Sequence, residues 1–220
     1  MKNPPEGIPE AAMFCVIFEV RPKPAQWEAY LGHAGLLRPE LIRMDGFIDN
    51  VRYASKRRPG VLLSVSVWRD EKALIRWRTH ALHHGIQEKG RMEVFSDYHL
   101  RVGEIAADGG HRADMTETGT KLVTLVEARL PAGLDAAAPP EALAAAFGIR
   151  DLPCAPADWD VFEAILTPGD MLLLLSWRDF TDAEAAISAP GLRQVRIVRD
   201  YGMADRHEAP QYYPPVPMRV

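Results

Sequence analysis

Cysteine is scarce: the 220 residues contain two, Cys15 and Cys154, which excludes a disulfide scaffold. Cys15 sits in an apolar run and reads as a core residue. Cys154 lies between Pro153 and Pro156 with no adjoining basic residue to lower its pKa, so both read as inert thiols. No apolar run approaches the ~20 residues of a membrane-spanning helix. The segment Met1 to Ala12 has no hydrophobic block of the kind a signal peptide carries, so a cytoplasmic protein is expected. An excess of positive charge is also missing. Lys plus Arg number 26 against 30 Asp plus Glu, a net charge of −4, which argues against a phosphate-backbone partner. The three charges of Lys56-Arg57-Arg58 read as a solvated loop, not as a nucleic-acid site. There is no Gly-rich phosphate loop, and His80 is followed by Ala81 where a zincin would place Glu. No cofactor and no metal are therefore expected.

What is present is an internal repeat. Leu63 to Asp70 reads LSVSVWRD and Leu172 to Asp179 reads LLLLSWRD. Glu19 ahead of Arg21-Pro22 resembles Glu127 ahead of Arg129-Leu130-Pro131, and Asp97-Tyr98 resembles Asp200-Tyr201. The offsets are 109, 108 and 103, one order at nearly one spacing, as a duplicated unit of ~100 residues would give. The expected organisation is a first unit over 13–105, a polar linker over 106–120, a second and degenerate unit over 121–202, and a Pro-rich extended tail over 203–220.

Each unit reads β-α-β-β-α-β. In the first, strands are expected over Met13–Val20, Phe47–Ala54, Val61–Trp68 and Met92–Val102. Its helices are expected over Pro24–Met44, kinked or broken at Pro39, and from an Asp70 N-cap to Gly90. In the second, strands are expected over Lys121–Leu130, Trp159–Leu166, Asp170–Trp177 and Leu192–Tyr201, with short helices over Pro140–Phe147 and Asp182–Ser188. The run Met171 to Leu175 (MLLLL) is apolar at every position, so both faces of its strand need cover. Helices cover one face, and a second sheet is the candidate for the other. The fold class expected is α+β: two ferredoxin-like β-α-β-β-α-β units packed sheet to sheet as an intrachain barrel, a pseudo-dimer within one chain that can self-associate further.

The tandem units, with Val67-Trp68-Arg69-Asp70 leading into Trp77 to His84 and on to Phe95-Ser96-Asp97-Tyr98, resemble the antibiotic biosynthesis monooxygenase family of the dimeric α+β barrel superfamily. The resemblance covers Met13 to Gly103 well and Lys121 to Tyr201 in outline. It implies a ferredoxin-like unit and a cofactor-independent monooxygenase acting on an electron-rich, quinol-type aromatic. Haem degraders of a related branch share a first-strand Asn, a second-helix Trp and a His ten residues later. Trp77 matches the Trp, but the His position falls on Gln87 and the Asn position near Glu19 or Val20, so haem degradation is not expected.

The site candidates lie in the first unit. On one continuous helix, Trp77 and His84 fall within ~20° of each other, His80 lies between, and His83 points nearly opposite, toward solvent. His84 and His80 are the catalytic candidates, because an imidazole can take a phenolic proton at neutral pH. Trp77, Trp68, Arg52, Tyr53 and Gln87 are candidates for binding a small planar aromatic, while Tyr98 and its repeat Tyr201 read as packing residues. The alternative is a non-catalytic small-molecule-binding or structural barrel. The second unit lacks the histidines, which predicts one asymmetric pocket.

Overall fold

The computed structural model describes residues 12–106, 121–178 and 191–210. The first four strands are β1 (Phe14–Pro22), β2 (Phe47–Ser55), β3 (Leu62–Trp68) and β4 (Phe95–Ala106). The second four are β5 (Lys121–Arg129), β6 (Asp158–Ala164), β7 (Asp170–Trp177) and β8 (Leu192–Gly202). They close into one antiparallel barrel in the order β1-β3-β2-β6-β7-β5-β8-β4. Each half therefore has the ferredoxin-like order with its first and third strands central. Two seams join the halves: β4 on β8 from His99↔Gly202 to Ala106↔Gln194, and β2 on β6 over Tyr53↔Ala164 to Ser55↔Phe162.

Strand alternation explains the closure. In β1, Cys15 and Ile17 enter the barrel core with Leu63, Val65 and Val67 of β3, while Phe14, Val16, Phe18 and Val20 face outward toward the helices. In β7, Leu172 and Leu174 join the same barrel core, while Met171, Leu173, Leu175 and Trp177 pack against the helix α4 (Pro140–Ala146). The MLLLL run is thus buried on both faces, by a sheet on one side and a helix on the other.

The first unit carries α1 (Trp27–Arg43), α2 (Glu71–Thr79) and α3 (Ala81–Lys89). Helix α1 runs through Pro39 without ending there, so of the kink or break expected at that position the break does not occur. Pro39 omits only the bond to the carbonyl four residues back. Asp70 caps α2 as expected, its carboxylate accepting from the Ala73 amide at 2.7 Å. The single helix expected to Gly90 is instead two, broken at His80, whose backbone is extended (φ −60°, ψ 127°). A π-helical turn over Gly90–Val94 then leads into β4. The expected linker beyond Ala106, the expected helix over Asp182–Ser188 and the end of the Pro-rich tail lie outside the described residues.

The basic turn is not a solvated loop. Lys56 pairs with Glu163 at 3.0 Å, and Arg57 pairs with Asp158 at 2.9 Å and lies 4.7 Å over the Trp159 ring. Arg58 donates to Glu19 and, from Nε at 2.7 Å, to Asp160. Its three cations join the first unit to the second, because the short β2–β6 seam brings acidic residues of β6 beside the turn.

Candidate functional site

The outer face of the first sheet and helices α1–α3 enclose a cavity of about 730 Å³, within the usual size of a small-molecule site. Its floor takes outward residues of four strands: Val16 and Phe18 of β1, Asn50 and Arg52 of β2, Ser64 and Ser66 of β3, and Tyr98, Leu100 and Val102 of β4. Leu37 and Leu41 come from α1, Leu74, Trp77 and Arg78 from α2, and His83, His84 and Gln87 from α3. Tyr201, Arg206, Ala209 and Pro210 of the second unit complete the wall.

Of the residues expected to form a site, Trp77, His84, Arg52 and Gln87 all line this cavity. Three do not. Tyr53 is on the opposite face of β2, because adjacent strand residues alternate. It is buried in the barrel core and donates from its hydroxyl to Glu127 at 3.1 Å. Trp68 is completely buried beneath Trp77, with ring centroids 6.4 Å apart and its indole nitrogen donating to Ser66 at 3.0 Å. His80 occupies the helix break, stacked on Trp77 with centroids 5.7 Å apart.

That break also overturns the expected direction of His83. A continuous helix sends it to solvent, but the turn at His80 resets the phase. His83 instead stacks on Trp77 with centroids 4.3 Å apart and planes 15° from parallel, and its Nδ1 lies 2.9 Å from the Trp77 carbonyl. A carbonyl only accepts, so Nδ1 carries the hydrogen and the neutral ring keeps a bare lone pair on Nε2. Burial pushes the imidazole down to about 4, so it is neutral at physiological pH. Thr79, whose hydroxyl bonds back to the Ile75 carbonyl at 2.9 Å, is the one local hint of the break.

Polar groups in the cavity are weighted toward donors. Four guanidinium groups line it, those of Arg52, Arg78, Arg91 and Arg206, against one carboxylate, Glu88. Among the described residues none of the four is in a salt bridge. Arg52 hydrogen-bonds the Tyr30 hydroxyl, whose pKa burial pushes up. Arg206 donates to the Tyr98 hydroxyl and lies 5.8 Å over the Tyr201 ring. Asn50 donates to the Ser64 hydroxyl at 2.9 Å and the Val65 carbonyl at 3.0 Å, which fixes its amide orientation and leaves its Oδ1 without a partner. Tyr98 and Tyr201 pack in one hydrophobic cluster, as the repeat implies, and are cavity walls as well. Asn50 shares the strand face whose alternation points to Arg52, whereas Arg78, Arg206 and His83 are not among the expected site residues.

A second, more open cleft of about 380 Å³ lies beside Asp97, His99, Lys121 and Asp200. Its charges satisfy one another: His99 with Asp200 at 2.5 Å, Lys121 with Glu208 at 2.9 Å, and His207 with Asp205 at 2.5 Å. No group of three or more potential metal ligands occurs among the described residues. Nor is any described helix long and apolar enough to cross a membrane.

The profile of the antibiotic biosynthesis monooxygenase family matches residues 13–89. A curated protein of Pyricularia oryzae, jasmonate monooxygenase, is 48% identical over 222 residues, covering 92% of this chain and 99% of that protein. Among solved structures, one from Mycobacterium tuberculosis is 17% identical, covers 45% of this chain and 100% of its own, and superposes with a TM-score of 0.41. One from Lactobacillus acidophilus is 9% identical, covers 86% and 95%, and has a TM-score of 0.40.

Proposed function

The chain belongs to the antibiotic biosynthesis monooxygenase family, and from that premise we propose that it is a monooxygenase whose substrate is a small amphipathic carboxylate of the jasmonate type, held in the cavity of the first unit. The observation that carries this reading is the cavity's composition. Apolar walls from Val16, Phe18, Leu37, Leu41, Leu74, Leu100 and Val102 suit a hydrocarbon body, and guanidinium groups without ion-pair partners among the described residues suit an anion. A carboxylate meeting two such donors in a half-buried site gains charge-assisted hydrogen bonds stronger than neutral ones. A quinol offers these cations no formal charge until it ionises.

Two imidazoles take different parts in this reading. A general base works best with a pKa near the operating pH. His83, held at about 4, is too weak for that role at pH 7 and serves as a hydrogen-bond acceptor through Nε2. His84 is left as the base that removes a proton activated by a neighbouring carbonyl or phenol. Where the reacting carbon is a methylene that becomes a carbonyl, CH2 and O2 give C=O and H2O, and the substrate supplies every electron. Simple hydroxylation needs two more electrons from an added reductant.

The electron-rich aromatic remains a second reading on one observation, the flat wall formed by Trp77 and His83. Incubation with jasmonate under 18O2, with and without added reductant, and in parallel with a quinol, tests both. One labelled oxygen in the jasmonate product is expected, with His84→Ala lowering turnover by about 10²-fold. Labelling of the quinol alone overturns the carboxylate reading. No labelled product from either substrate overturns the proposal of a monooxygenase site in this cavity.

A further inference from the structure

We infer that Arg206 and Arg78, together with the Tyr98 hydroxyl, form the carboxylate-recognising end of the cavity, so that the segment following β8 sets the substrate selectivity of a site otherwise built by the first unit. The inference rests on the reading of the cavity as a site for an amphipathic carboxylate.

The segment reaches the cavity because it is fastened there. The Gly202 amide donates to the Asp205 carbonyl at 2.7 Å, Met203 to the Tyr98 carbonyl at 3.2 Å, and Ala209 to the Arg206 carbonyl at 3.0 Å. Glu208 accepts from the Asp200 amide at 2.6 Å and pairs with Lys121 at 2.9 Å. These contacts fold the chain back over the end of β4 and aim Arg206 at Tyr98 and Tyr201. Arg78 of α2 lines the same cavity as Tyr201 and, like Arg206, acts electrostatically on the Tyr201 hydroxyl. Two guanidinium groups, neither in an ion pair among the described residues, thus line the cavity and share Tyr201 as an electrostatic neighbour. Two cations that both line the cavity and both act on Tyr201, without a carboxylate partner among the described residues, favour an anion at that end.

Tyr98 adds a third donor. Arg206 donates to the phenolic oxygen, so that oxygen is an acceptor in the contact, and its own hydrogen is free to donate into the cavity. The β2 end is a poorer place for a carboxylate. Arg52 there is engaged with the Tyr30 hydroxyl, and the Oδ1 of Asn50, on the same face, is buried without a donor, so its negative partial charge opposes an anion nearby. Strands β2 and β4 are three strand spacings apart, about 14 Å, so the two ends are chemically separate.

The test uses calorimetric binding of jasmonate and of its methyl ester, which differ in the charge of one end. The wild-type protein is expected to prefer the acid by about 10- to 100-fold, the range charge-assisted hydrogen bonds supply. Arg206→Met and Arg78→Met are each expected to cut that preference at least about 5-fold through the acid's affinity, and Arg206→Lys to restore part of it. Should Arg206→Met fail to fold, Arg78→Met and Tyr98→Phe carry the same comparison. Equal binding of acid and ester by the wild type leaves a small-molecule site in this cavity standing but overturns both the carboxylate reading and this inference. Loss of the preference in Arg52→Met with its retention in Arg206→Met overturns this inference alone. Binding of neither probe overturns both readings.

Discussion

At the scale of single residues, the stacked column of Trp68, Trp77 and His83 ties site chemistry to stability. Burial holds His83 at about 4 in the folded protein, against an ordinary value of 6.5. The unfolded chain therefore binds a proton that the folded chain refuses, in the window between those two values. Stability rises with pH wherever the unfolded state holds more protons, so it falls as the pH is lowered from 6.5 toward 4 and is unaffected above 6.5. The expected loss is on the order of 2–3 kcal/mol. Urea titrations at pH 7 and pH 4.5 measure it, and His83→Phe, which keeps a ring against Trp77, should flatten the slope. An unchanged slope in that variant would assign the acid sensitivity elsewhere. The residues at this scale were partly legible in the sequence. Arg52 follows from strand alternation and Trp77 from the apolar spacing of its helix, Gln87 comes from the family resemblance as the position of the haem degraders' His, and His84 lines the cavity although the continuous helix that pointed to it is broken at His80. His83 was not legible, because its direction depends on a helix break with no proline or glycine to announce it.

At the scale of elements, β4 has the most demanding position. It pairs with β1 on one edge and β8 on the other, and its outward residues Tyr98, Leu100 and Val102 floor the cavity. Its register against β8 slips between Val102 and Gly103. A side chain at Gly103 would stand 2.5 Å from the Arg196 carbonyl oxygen and 2.5 Å from a Val195 methyl. One of those neighbours is backbone and cannot rotate away, so the seam itself must move. Gly103→Ala is expected to cost about 1–3 kcal/mol, read by urea unfolding. It should also weaken ligand binding, because the strand it displaces carries Tyr98. Full stability in this variant would mean the seam is more compliant than its close approach indicates. Strand order and alternation were readable from the repeat and the MLLLL run, since a strand apolar on both faces has few ways to be covered. The start of β4 was not: residues 90–94 form a π-helical turn, and Met92 and Val94 look like strand residues until that turn is seen.

At the scale of the whole molecule, the two units are one folding unit held by a closed barrel and a charge network at its β2–β6 seam. The network was hidden in the sequence because Arg58 finds Glu19 at a separation of 39 residues and Asp160 at 102, distances over which charge pattern says nothing. Glu19 is also held by Arg101, which in turn donates to Ser176 at 2.9 Å. Burial pushes the Asp160 carboxyl up, with Ser55 and Arg58 opposing it. Removing Arg58 leaves two buried carboxylates short of a cation, a change that costs about 3 kcal/mol or more where pairs are this enclosed. Arg58→Ala is therefore expected to lower stability by about that amount while both units still unfold in one transition. Loss of its cation raises Asp160 further above its unfolded value. The folded variant then binds the proton more tightly than the unfolded chain does, and lowering the pH toward the ordinary carboxylate range near 4 should shrink the deficit relative to wild type. Chemical unfolding of both proteins at pH 7 and pH 4.5 measures this, and a deficit of the same size at both would show that Arg58, whose guanidinium also lies 6.0 Å over the Phe162 ring, acts through that packing and not through charge.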